Sequence, residues 1–183
     1  AFCSAVCIGS YKKQQPIIYF DNGATTQKPT SVIESYQHFY QEINANVHRA
    51  SHLLSANATI TFEQARERAK NFINAKSTKD IIWTKGTTES VNLISATLGK
   101  KILNVDDEII IAVSEHHANI VPWQLMAKQT GARIKVVALD PAGRVDLNCI
   151  DELITEKTKI VCCAHVSNVL AKENPIQAII QKA

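Results

Sequence analysis

A chain of 183 residues, 45% hydrophobic and 20% charged with a net charge of +3, is long enough for one domain with a real core. At this size folding removes roughly 70% of the surface that the unfolded chain exposes. The small charge and the lack of a dense basic run exclude a chain that tracks nucleic acid, and no apolar run approaches the ~20 residues that span a bilayer. Five scattered cysteines, Cys3, Cys7, Cys149, Cys162 and Cys163, point to reduced thiols and a cytoplasmic location, with organelle targeting left open. Cys3 and Cys7 have no second ligand pair beside them, so zinc is not expected. The small apolar stretch 1–8 has no basic segment before it and makes a poor secretory signal.

In chain order, residues 17–20 read as a short strand and Asp21-Asn22-Gly23 as a turn. A helix follows Pro29, with Ser31 and Glu34 at capping-box spacing and Val32, Ile33, Tyr36, Phe39 and Tyr40 along one side. Residues 42–55 are polar and loop-like. A second helix is expected over about 58–74, with Ala65, Ala69, Phe72 and Ile73 inward. From there strands and helices alternate: strands at 81–84, 108–113, 134–139 and 160–165, helices at 89–98, 122–130 and 147–155. Gly131 suits a helix C′ position, 140–143 a turn, and the adjacent Cys162 and Cys163 should face opposite sides of their strand. This alternation predicts an α/β fold, a mostly parallel sheet flanked by helices. Residues 175–183 open an amphipathic helix with Ile176, Ile179 and Ile180. Such a helix should feed a further parallel strand, so the sequence reads as truncated in mid-fold.

Chemistry is expected where strands end and helices begin, because α/β folds bind ligands there. Gly86-Thr87-Thr88 lets a ligand approach the backbone, adds two hydroxyls and precedes a helix N-terminus, which suits a phosphate; an ordinary capping turn is the plainer alternative. Ser114-Glu115-His116-His117-Ala118-Asn119-Ile120-Val121-Pro122-Trp123 collects imidazoles, a carboxylate, an amide and an indole at a second junction. Neighbouring histidines in extended chain point apart, so one of His116 and His117 turns away from any shared ligand. His48 and His52 would share a face only in a helix, and their asparagine-rich surroundings favour a loop; no metal site is expected. His165 ends the last strand and points toward Ser167 and Asn168.

Five segments occur in the order seen in the SUF-type cysteine desulfurase and selenocysteine lyase family, of the class V aminotransferase fold. They are Phe20-Asp21-Asn22-Gly23-Ala24-Thr25-Thr26-Gln27-Lys28-Pro29, Asn46-Val47-His48-Arg49, Thr84-Lys85-Gly86-Thr87-Thr88-Glu89-Ser90, the Glu115-to-Trp123 run, and His165-Val166-Ser167-Asn168-Val169-Leu170. The chain resembles the N-terminal portion of that family. Residues 1–16 stand outside the resemblance as an N-terminal extension, and 17–183 correspond to an incomplete PLP-binding domain.

The resemblance implies pyridoxal 5′-phosphate (PLP) as cofactor and L-cysteine or L-selenocysteine as substrate. The sulfur would leave as a persulfide for a sulfur-acceptor protein in iron–sulfur cluster assembly, with alanine as the other product. Thr87 and Thr88 would hold the phosphate. His116 would stack on the ring and assist proton transfer, with His117 turned away. Asn168 would bond the phenolic oxygen, and His48, Arg49 and Glu89 would lie near the substrate entrance or a homodimer interface. The family's PLP-anchoring lysine, pyridinium-pairing aspartate, persulfide cysteine and carboxylate-clamping arginine match no residue here, so the chain alone is expected to be inactive. Ala171 stands where the family usually has glycine, which would strain the loop if that position takes a positive φ. A non-catalytic remnant or partner-binding fragment is the alternative; among enzymes, kynureninase or an aminotransferase of the same fold is the runner-up.

Overall fold

Strand β1, Glu108–Ala112, forms the middle of a three-stranded parallel sheet, between β2, Arg133–Val137, and β3, Thr158–Cys162, in the order β2-β1-β3. All five β1 residues are buried, as a central strand covered on both faces requires. Ile109 and Ile111 face one side and join Leu103, Trp123, Met126 and Cys162; Ile110 and Ala112 face the other and join Val137, Val145, Ile150 and Ile179. The first layer is built by α3, Thr87–Ile94, a wide π-helical turn Ser95–Gly99, the single turn α4, Lys100–Ile102, and α5, Val121–Thr130. The second is built by α6, Leu147–Leu153, and α7, Ile176–Lys182. A Cβ on Gly99 would stand 3.1 Å from Trp123 Cζ3, so this glycine lets the π turn close onto the indole.

The computed structural model describes residues 19, 20, 22, 25–49 and 51–183. They form two compact units, one ending at Ile82 and the other Trp83–Ala183. The sheet belongs to the second. In the first, α1, Thr30–His38, continues through a π turn, Phe39–Ile43, and α2 spans Leu53–Phe72. Here α1 buries no residue and α2 buries only Ser55 and Ala58.

The α/β reading holds, and strands and helices from residue 108 onward fall within three residues of the expected bounds. Gly131 closes α5 with φ 80°. Cys162 and Cys163 do face opposite layers.

Several expectations are corrected. Residues 81–84 pair with no strand among the described residues; Ile82 and Trp83 are exposed, and apolar composition alone does not supply a ladder partner. Tyr19 and Phe20 are not in a strand, and 17 and 18 lie outside the described residues. Ser31 and Glu34 form no capping box, because α1 starts two residues earlier than that box requires, with Pro29 as its cap. Helix α2 begins at Leu53, not near 58, since His52 Nδ1 accepts from Ser55 N at 3.2 Å and caps it. Phe72 and Ile73, expected inward, are 91% and 62% exposed.

Candidate functional site

Gly86 has φ 157° and ψ 179°, a backbone region essentially reserved for glycine, and a Cβ there would meet nothing within 4 Å. That conformation turns the chain into α3, which starts at Thr87, two residues earlier than the sequence suggests. The turn is braced from within. Thr84 Oγ1 and Ser90 Oγ lie 2.7 Å apart, Ser90 Oγ donates to Gly86 O at 3.2 Å, and Glu89 Oε2 accepts from Lys85 N at 2.6 Å. Glu89 is therefore a brace of the cradle. The amides of Thr87, Thr88 and Glu89 and the hydroxyls of Thr87 and Thr88 have no acceptor among the described residues. Open space, free donors and a helix N-terminus are what a phosphate monoester needs.

The second junction follows β1. Glu115 is buried: Oε1 accepts from Ala164 N, and Oε2 accepts from Asn119 Nδ2 at 2.8 Å. Asn119 Oδ1 in turn accepts from Trp123 Nε1 at 3.1 Å. Three of the polar groups in the 114–123 run thus hold the junction together, and its exposed polar side chains are the two histidines. A helical turn, His117–Asn119, is capped by His116, whose Nδ1 accepts from Ala118 N at 3.1 Å. A neutral His116 ring therefore carries its proton on Nε2. The two rings are 6.0 Å apart and nearly perpendicular.

The third loop leaves β3. Parallel strands put the ends of β1 and β3 on one sheet edge, so the 113–120 and 163–174 segments emerge side by side. Asn168 is exposed at the tip of this loop. Buried Asn174 donates from Nδ2 to Ala164 O at 2.8 Å and accepts from Val145 N at 2.8 Å. Ser167 is also buried, and its Oγ accepts from Leu170 N at 3.2 Å. Neither was singled out as a support from the sequence, because a buried polar residue in a loop has no local signature. The 115, 119, 123 spacing did carry a signal, one polar group per helical turn. His165 does not end the strand, which stops at Cys162; it is exposed and lies 3.2 Å from Glu173 Oε1. Burial, and next the Glu115 charge, pushes the Cys162 thiol up to about 12 and the Cys163 thiol to about 11, so neither is a ready nucleophile.

His48 and Arg49 belong to the other unit. His48 has φ 64°, its amide donates to Thr59 Oγ1 at 3.0 Å, and its Nε2 lies 3.0 Å from Glu63 Oε1. Arg49 is exposed. His48 and His52 sit before α2, not on a shared helical face, and no cluster of three metal-binding side chains occurs among the described residues. No helix among them is long and apolar enough to cross a membrane.

Residues 18–183 match the family model for aminotransferase class-V. The chain belongs to the class V aminotransferase family. It is 48% identical over 168 residues to a protein of Vibrio cholerae described as "Probable cysteine desulfurase", covering 92% of this chain and 42% of that one. Among solved structures, a cysteine desulfurase from Thermococcus onnurineus superposes with a TM-score of 0.86 at 35% identity, over 91% of this chain and 41% of that one. The cysteine desulfurase CsdA of Escherichia coli gives 0.78 at 38%, over 88% and 40%. The chain spans less than half the length of each of these relatives.

Proposed function

We propose that these residues form the phosphate- and ring-binding part of a PLP-dependent cysteine desulfurase. The single observation that carries this reading is the Gly86–Glu89 cradle, with its free amides and hydroxyls, in a chain 48% identical to a cysteine desulfurase relative. PLP, when bound, supplies an electron sink for the amino-acid carbon skeleton.

The chain's own residues would do the rest. The amides at the start of α3 and the hydroxyls of Thr87 and Thr88 bind the phosphate, and Gly86 leaves room for it. His116 presents a flat ring with its proton held at Nε2, suited to stacking and to giving or taking that proton. Asn168 offers an amide donor to the phenolic oxygen. His48, fixed by Glu63 and Thr59, and the neighbouring Arg49 would lie near the substrate entrance or the homodimer interface. The substrate is L-cysteine, with L-selenocysteine as the alternative. The sulfur passes to an acceptor protein for iron–sulfur cluster assembly in the cytoplasm, and the working form is a homodimer. By themselves the 183 residues hold PLP only weakly and without turnover, since none of their lysines matches a PLP-anchoring motif.

Titration of the 183-residue chain with 4′-deoxypyridoxine 5′-phosphate, which has no aldehyde to react with stray lysines, tests the cradle. T87A/T88A should weaken binding at least about tenfold, the loss of roughly 1.4 kcal/mol. Incubation with PLP and L-cysteine should give no sustained alanine or sulfide. Unchanged affinity in the double variant, or multiple turnovers by the chain alone, would contradict this reading.

A further inference from the structure

We infer that Glu115 is a positioning residue whose carboxylate locks the His116 turn and the Asn168 loop to each other, and that it does so only as an acceptor at both oxygens. The inference rests on the reading of His116 and Asn168 as cofactor contacts.

The polarity of the network is forced. An indole N–H can only donate, and Trp123 donates to Asn119 Oδ1. Asn119 must therefore turn its NH₂ the other way, toward Glu115 Oε2. On the far side the donor is the backbone N–H of Ala164, which can only donate to Oε1. Donors arrive at residue 115 from both directions, and no member of the chain can be flipped without setting two donors face to face. No Lys, Arg or His among the described residues forms an ion pair with this carboxylate, so neutral donors alone hold it.

The two ends of the network reach the two loops. His116 sits between Glu115 and Asn119, and its carbonyl accepts from Asn119 N at 2.8 Å. Ala164 is gripped on both sides, its N–H by Glu115 and its C=O by Asn174. Asn174 N donates to His165 O at 2.8 Å and Ser167 N to Lys172 O at 2.9 Å, so the loop carrying Asn168 is closed on the same anchor. A shift at residue 115 is thereby passed to both loops at once.

The forced polarity supplies a test. In E115Q the new amide can still accept from Ala164, but its NH₂ meets that of Asn119; if Asn119 flips, its NH₂ meets the Trp123 indole instead. The second change N119D removes the conflict, because a carboxylate at that position accepts both from the new amide and from Trp123. In ¹⁵N NMR spectra of the 183-residue chain, E115Q should shift the Trp123 indole signal and the amides of Ala118, Ala164 and Asn168, with the Trp83 indole as internal reference. E115Q/N119D should return them toward wild type. A residue that merely filled space would not be rescued by reversed polarity.

Coupling is refuted if E115Q moves only signals within 115–123, or if the double variant is no closer to wild type than E115Q. Hydrogen exchange on the unaltered chain needs no variant to fold. The Ala164 amide should exchange at least about 100-fold more slowly than that of exposed Val169, and equal rates would overturn the proposal. Affinity for 4′-deoxypyridoxine 5′-phosphate should fall about tenfold in E115Q and recover in the double variant. If the unaltered chain does not bind that probe, the cofactor reading falls, and the NMR comparison still decides the coupling.

Discussion

Ala171 has φ 51°, in the left-handed region where an L side chain crowds its own carbonyl. The strain is held by hydrogen bonds: Ala171 N donates to Ser167 O at 2.9 Å, and Leu170 N to Ser167 Oγ at 3.2 Å. Left-handed alanine costs about 1–2 kcal/mol. Replacing it with glycine loses about 0.4–1 kcal/mol by loosening the unfolded chain. The first effect is on balance larger, so A171G should stabilise the protein by up to about 1.6 kcal/mol, and A171V should destabilise it. Urea unfolding monitored by Trp fluorescence checks this, and lower stability in A171G would show the strain to be absent. The sequence disclosed Ala171 only through the family resemblance. Asn174 stayed hidden because its partners, Val145 and Ala164, are distant in the chain and nothing local marks them.

At the scale of elements, the start of β1 is pinned by one carboxylate. Glu108 lies 2.7 Å from Lys135 Nζ on β2 and accepts from Thr155 Oγ1 at 2.6 Å and Thr158 Oγ1 at 3.3 Å. The Lys135 ammonium first, then the Thr155 hydroxyl, hold its carboxyl below the usual range. A lowered value in the fold means that the stabilisation is present above the unfolded glutamate value of about 4.3 and is lost as pH falls through the folded value. The urea midpoint should therefore drop below about pH 4.3 more steeply in wild type than in E108Q, and parallel acid limbs would deny Glu108 this role. The alternating elements after residue 108 were legible because apolar runs were separated by Gly, Pro and helix-capping signals. The 81–84 segment had the same composition but pairs with no strand among the described residues, and composition does not reveal a partner. The start of α2 was misplaced because histidine is a rare cap.

For the whole molecule, the exposed apolar residues set solution behaviour. Val32, Ile33, Tyr36 and Tyr40 lie together on one side of α1 and its π turn and are 50%, 54%, 66% and 55% exposed. Surfaces of this kind associate. Sedimentation velocity at tens of micromolar should show the chain self-associating; a strictly monomeric species with one cooperative unfolding transition would refute that. The position of β1 between two later strands also has a consequence during synthesis. The ribosome finishes Glu-Ile-Ile-Ile-Ala at Ala112, but β2 is complete only at Val137 and β3 at Cys162. At about 5–20 residues per second, three consecutive isoleucines wait on the order of seconds without either neighbour. Nascent chains halted before Cys162 clears the exit tunnel should be cut by protease around residues 108–112 and become resistant once it has emerged. The central strand of these three thus spends that interval as an uncovered apolar segment of the kind chaperones hold.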